Sequence, residues 1–150
     1  FNRTFAERLN RLSRITVKEA EHGERLLPSY AYVAPGDHHL EIIKVGGSYK
    51  VKLTQDEKVS GHRPSVDVMF NALAQCAAPN ISAMILTGMG KDGAEGMVAL
   101  HQKGVTTFAQ DEQSCVVFGM PREAIKCRAV DYVVELSQMP SKLINHLSSL

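Results

Sequence analysis

The chain has 150 residues, a formal net charge of +1, and a composition that is 44% hydrophobic and 22% charged, as in an ordinary globular domain. That balance excludes a bulk electrostatic case for nucleic acid or an anionic membrane, and the longest apolar runs fall far short of the ~20 residues a membrane span needs. Three widely spaced cysteines without a C-x-x-C exclude a disulfide framework and a zinc knuckle and fit a reducing cytosol; Cys76, Cys115 and Cys127 are expected as small buried apolar residues.

The chain opens on Phe1 within what already reads as a helix. Phe1, Phe5, Leu9 and Leu12 recur at helical spacing, with Arg3, Glu7, Arg8, Asn10 and Arg11 between them. No secretory signal is read there, and a chain that starts in mid-element is expected to be a fragment of a longer protein. "ITVKEA" (15–20) and "YAYVAP" (30–35) read as strands separated by a polar connection. "HLEIIKV" (39–45) and "YKVKLT" (49–54) flank Gly46-Gly47-Ser48, a hairpin signal. A polar loop leads to "SVDVMFNALAQCA" (65–77), an amphipathic helix with Ser65 at the N-cap position.

The rhythm then changes. "ISAMILT" (81–87) is a near-continuous apolar run, the mark of a strand covered on both faces. A helix over 92–104 ends at a glycine, "VTTFAQ" (105–110) is a strand, and "MPREAIKC" (120–127) opens a helix with proline in its first turn. "YVVEL" (132–136) is a further strand, and the last helix is expected to turn Leu143, Ile144 and Leu147 inward. This alternation predicts a doubly wound, mostly parallel α/β sheet with an appended antiparallel β-hairpin, in one domain over residues 1–150.

The loop "ILTGMGKDG" (85–93) carries the chemistry. Gly88-x-Gly90-x-x-Gly93 follows a strand and opens a helix, the setting of a dinucleotide-binding turn, and Asp111 lies on from it where a ribose-binding acid would sit. Against that reading, Asp92 would stand beside the pyrophosphate and repel it, and too little chain follows for a second mononucleotide-binding half. The other reading starts from Asp92 itself, beyond the carboxyl end of a strand, where catalytic groups of open α/β sheets gather. On spacing alone Asp92 could equally be a helix N-cap, stabilised by the helix macrodipole.

"ILTGMGKDGAEGM" (85–97) and "AQDEQSCVVFGMPREAI" (109–125), together with "HRPSVDVMF", "AYVAPGDHH" and "FAERLN", resemble the catalytic domain of the CheB family of bacterial chemotaxis protein-glutamate methylesterases. The resemblance spans essentially the whole chain. It implies a cytoplasmic α/β serine hydrolase of a two-component signalling system, free of metal and cofactor. Such an enzyme hydrolyses glutamate methyl esters on the cytoplasmic helices of methyl-accepting chemoreceptors and deamidates some of their glutamines. It implies a Ser-His-Asp triad whose acid is Asp92, with Met89 lining the active site between Gly88 and Gly90. His62 and Arg63 would border the cleft and could touch substrate. The family's serine and histidine precede the "F…FAERL" helix, so this chain holds Asp92 alone of the triad and is expected to be inactive by itself. A regulatory receiver domain, usual in the family, is not contained in it either.

The residues present offer no substitute. There is no G-x-S-x-G elbow. The remaining histidines, His22, His38, His39, His101 and His146, each have a structural reading, and Asp37-His38-His39 are adjacent residues that do not converge on a metal ion. A nucleotide-binding α/β domain and a non-catalytic, receptor-binding relative are the competing functions.

Overall fold

The computed structural model of the chain describes residues 1–76 and 80–150. The chain divides into two compact units, residues 1–76 and 77–150. The architecture is α/β, with parallel strands and one antiparallel pair.

In the first unit, α1 (Asn2–Leu12) leads into β1 (Thr16–Glu19), which pairs in parallel with β2 (Tyr30–Val33), Thr16 opposite Tyr30 and Glu19 opposite Val33. The hairpin expected from Gly46-Gly47 joins β3 (His39–Val45) to β4 (Ser48–Thr54), with Val45 opposite Ser48. Gly46 takes φ 63°, the conformation that a type II′ turn asks of its first central residue and that glycine adopts without strain. The polar connection after β1 runs along β4: Gly23 N–H donates to Val51 O at 2.8 Å and Val51 N–H to Glu24 O at 2.9 Å. α2 (Val66–Gln75) starts at Ser65, whose Oγ accepts the Val68 N–H, and packs on β3. Leu40, Ile42, Val51 and Ala20 form the core, enclosed by Met69 and Leu73 of α2 and by Leu26 and Tyr32.

α1 does not bury the face its periodicity predicts. Phe1, Phe5 and Leu12 are exposed, Phe1 stacking on Phe5 at 6.2 Å, while Ala6 is buried. Asn2 Nδ2 donates to Ala34 O at 2.8 Å and Asn10 Oδ1 accepts the Val17 N–H at 2.8 Å, so the helix is also tied to backbone groups at the β1–β2 sheet.

In the second unit, β5 (Ser82–Ile85), β6 (Thr106–Gln110) and β7 (Tyr132–Val134) lie parallel in that order. α3 (Ala94–Gln102) and α4 (Met120–Lys126) make the crossovers, and α5 (Met139–Ser148) closes the unit. Both-face coverage falls most completely on β6, buried from Thr107 to Gln110, whereas β5 buries Ala83 and Ile85 and leaves Met84 half-buried. α3 stops as its glycine predicts, in a Schellman motif. Gly104 (φ 84°) donates to His101 O, and Val105 donates to Leu100 O. α4 ends in the same motif with Arg128 in the left-handed position at φ 59°.

Two expectations are corrected. On α5 the inward residues are Met139, Leu143 and His146, the last edge-on to Phe108 at 5.8 Å, while Ile144 and Leu147 face outward. The aromatic ring of β6 is matched by an imidazole, which rotates the helix away from its aliphatic stripe. The cysteines are not buried apolar fillers: Cys76 and Cys115 are half-buried and Cys127 is exposed beside the end of α4. Burial still pushes the Cys76 and Cys115 thiols up.

Asp131, ahead of β7, ties the starts of the strands together. Its Oδ2 accepts the Thr107 N–H at 2.9 Å and its Oδ1 lies 2.9 Å from the His101 ring. Burial pushes this carboxyl up, but the Thr107 N–H and the His101 ring outweigh it and hold the group below the usual carboxylate range. A carboxyl depressed on folding contributes stability that is present above its unfolded pKa, about 4, and is lost as pH falls through the folded value. Melting temperatures of the wild type and Asp131→Asn should therefore differ at neutral pH and converge as the pH falls below the usual carboxylate range. A gap that stayed constant with pH would show the carboxylate charge to be irrelevant.

Candidate functional site

The carboxyl ends of β5 and β6 carry two loops, 86–93 and 111–119, which are laced together. Thr87 Oγ1 accepts the Val117 N–H at 2.9 Å and donates to Val117 O at 3.1 Å. Gly88 N–H donates to Val117 O at 3.0 Å, and Gly88 O accepts the N–H groups of Gly119 at 3.1 Å and Met120 at 2.9 Å. Gly88 and Phe118 form a parallel bridge.

Space constrains both sides of this junction, against backbone at Gly119 and against a side chain at Gly88. A Cβ on Gly119, whose φ of −99° any residue could adopt, would lie 2.7 Å from Gly88 O and 3.0 Å from Gly90 N. A Cβ on Gly88 would collide with the Met120 sulfur. Gly90 differs, having open space but a φ of 93° that other residues rarely adopt. Gly88 and Gly90, two of the three glycines of the G-x-G-x-x-G, thus have reasons internal to the fold. The Gly88 N–H is engaged by protein, and the space beside its Cα is filled by Met120, where a phosphate cradle would need both to be open.

Past this junction the loop turns back to α3 and buries Asp92, which is 5% exposed, while Met89 stands out at 78%. The N-cap position of α3 belongs to Gly93, in the left-handed region at φ 99°, so Asp92 stands one residue ahead of the cap. There the helix macrodipole still favours a negative charge. A buried carboxylate at the carboxyl end of a parallel strand, beside a protruding methionine, can orient and stabilise a partner cation such as an imidazolium.

The other sequence candidates lie in the first unit. Arg63 is engaged structurally: Nε and Nη2 hold Asp37 Oδ1 at 3.0 and 2.5 Å, and Nη1 reaches Gln55 O and Asp56 O at 3.4 and 3.3 Å. The Arg63 guanidinium holds the Asp37 carboxyl below its usual range. His62 is exposed and pairs through its backbone with Val59. His39 is buried with both ring nitrogens in use: Nε2 donates to Glu57 O at 2.8 Å and Nδ1 accepts the Ser65 N–H at 3.2 Å. That ring braces the start of α2, and no group of metal-ligating side chains occurs among the described residues. His22 accepts the Leu53 N–H at 3.0 Å and His38 donates to Gly36 O at 2.9 Å. What sequence reasoning missed is the buried amide of Gln110 between the two loops, marked only by a polar residue closing an apolar strand.

Comparison with known proteins shows the family of the chain. A family model described as CheB methylesterase matches residues 1–143. The protein-glutamate methylesterase/protein-glutamine glutaminase 2 of Shewanella sp. (strain MR-4) is 67% identical over the whole chain, which is 43% of that protein. The corresponding enzyme of Yersinia pestis is 55% identical over 99% of the chain and 43% of its own length. The crystal structure of the Thermotoga maritima CheB methylesterase catalytic domain matches with a TM-score of 0.93 at 41% identity, over 97% of this chain and 77% of that one. The chain thus spans less than half the length of these curated relatives.

Two measurements check the reading of the glycines. Gly119→Ala should destabilise the fold by about 1–3 kcal/mol, as overpacking against fixed backbone does, and by more than Gly88→Ala, which meets only the movable end of Met120. Equal effects would mean the junction can spread. NAD or ATP should leave the melting temperature unchanged, and a saturable shift would restore the nucleotide reading.

Proposed function

Because the chain belongs to the CheB methylesterase family, we propose that it supplies Asp92 as the acid of a Ser-His-Asp triad in a chemotaxis protein-glutamate methylesterase. The serine and histidine are assigned to the part of the full protein outside these 150 residues, since the chain spans 43% of its curated relatives. The substrates are glutamate γ-methyl esters on the cytoplasmic helices of methyl-accepting chemoreceptors, and glutamine side chains that the same chemistry deamidates. The protein works in the cytoplasm; among the described residues no helix is long and apolar enough to cross a membrane. More than half of each relative's length lies outside the match, which accommodates a receiver domain that restrains the catalytic part until phosphorylated.

The chemistry follows from what each group can do. A serine hydroxyl adds to the ester carbonyl as the histidine takes its proton, and the histidine returns that proton to the departing methoxide, releasing methanol. Water then cleaves the acyl-enzyme and frees the glutamate. A glutamine substrate leaves ammonia in place of methanol. Asp92 holds the histidine in the required tautomer and stabilises its cation. The observation that carries this reading is the burial of Asp92 on a loop braced by the 111–119 loop, with Met89 exposed beside it. Of the pair 62–63, His62 is the one assigned to substrate contact, because Arg63 is engaged by Asp37.

In the full-length protein, Asp92→Asn should fold and lose about 10⁴-fold in turnover of methylated receptor; a wild-type rate would reduce Asp92 to a helix-terminus charge. The 150-residue chain alone should show no turnover. Receptor binding by the full-length protein without ester hydrolysis would instead favour the non-catalytic reading. His62→Ala should raise KM for receptor and leave kcat in place, and an unchanged KM would remove His62 from the substrate path.

A further inference from the structure

We propose that Gln110 is a positioning residue for Asp92, its buried amide joining the loop that presents the acid to the loop that braces it; this rests on the triad reading of Asp92. Gln110 closes β6 and is 1% exposed. The last backbone pair of the β5–β6 ladder is Ile85 with Ala109. Just past that pair the side chain takes over the role of the ladder. Its Oε1 accepts the Thr87 N–H at 2.8 Å, and its Nε2 donates to Ser114 O at 2.8 Å and to Ser114 Oγ at 3.3 Å.

Both partners are themselves anchored. Ser114 donates from N and Oγ to Asp111 Oδ1 at 3.0 and 2.6 Å, and its Oγ accepts the Leu136 N–H at 3.1 Å. Thr87 is tied through its hydroxyl to Val117. The amide therefore spans Thr87 and Ser114 past the last pair of the β5–β6 ladder and ahead of the Gly88–Phe118 bridge, at the residue from which the chain departs toward Gly88, Met89 and Asp92. An apolar residue of the same volume would fill the space but leave the Thr87 N–H and the Ser114 carbonyl without this partner, and buried groups so deprived favour a displaced loop. Catalysis is sensitive to such displacement: misplacement by about 1 Å costs on the order of 10²-fold in rate.

The test uses the full-length protein with methylated receptor. Gln110→Met should lower kcat about 10- to 100-fold with KM unchanged. It should also move the acid limb of the pH dependence of kcat/KM to lower pH, because a histidine that loses a well-placed carboxylate holds its proton less tightly. Gln110→Asn, one methylene shorter and compatible with burial, should change both quantities in the same direction, and it stands in if the methionine variant does not fold. A lower melting temperature with wild-type kcat and an unmoved acid limb, in a protein whose Asp92→Asn variant is inactive, would overturn the proposal and leave Gln110 a structural brace. A wild-type rate for Asp92→Asn would overturn the triad reading, and this proposal with it.

Discussion

The carbonyl of Gly88 accepts two backbone N–H groups from a different loop, those of Gly119 and Met120, and the carboxyl end of the parallel sheet is organised around that junction. The two loops can approach so closely only because residue 119 carries no side chain: a Cβ there would lie 2.7 Å from the Gly88 oxygen. Once formed, the junction starts α4 at Met120 and leaves the remainder of the first loop a single route back to α3. Along that route Met89 faces outward and Asp92 is buried at the helix N-terminus. The stretches "TGMGKDG" and "FGMPREA" are thus two halves of one structural device, which is why their conjunction carries far more information than either alone.

Satisfying backbone groups governs other choices in the chain as well. α1 sits on its sheet through Asn2 and Asn10, which serve Ala34 and Val17, although a more apolar stripe lies elsewhere on the same helix. His39 is held between the Glu57 carbonyl and the Ser65 N–H, where its two ring nitrogens meet one acceptor and one donor. α4 closes with Arg128 in a left-handed conformation because the hydrogen bonds to Ile125 and Ala124 compensate the strain of a side chain there. In each case a polar partner at a specific distance outweighs a modest local preference, as expected when leaving a buried polar group unpaired costs about 1–3 kcal/mol.

Much of this was legible beforehand. The alternation of β3 and β4 around Gly46, the serine that caps α2, the glycine that stops α3 and the proline in the first turn of α4 are local signals, and each element formed within a residue or two of its expected place. The loop itself was legible too, as a strand-to-helix connection with Asp92 just ahead of α3. The inward face of α5 was not, because His146 packs on Phe108 while Ile144 and Leu147 turn outward. The ion pair of Arg63 with Asp37 was not either, since the two are far apart in sequence.

The sequence by itself determined where helices and strands lie to within about two residues, the α/β class and the family. These depend on backbone preferences and side-chain periodicity within a few neighbouring residues, which are written in order along the chain. The tertiary structure alone decided which face of α1 and α5 is buried, that Gly119 makes room for the backbone at Gly88 and Gly90, and that Gln110 bridges two loops past the end of their ladder. Those outcomes depend on which donors, acceptors and surfaces arrive opposite one another once the chain has folded, and spacing in sequence does not encode separation in space.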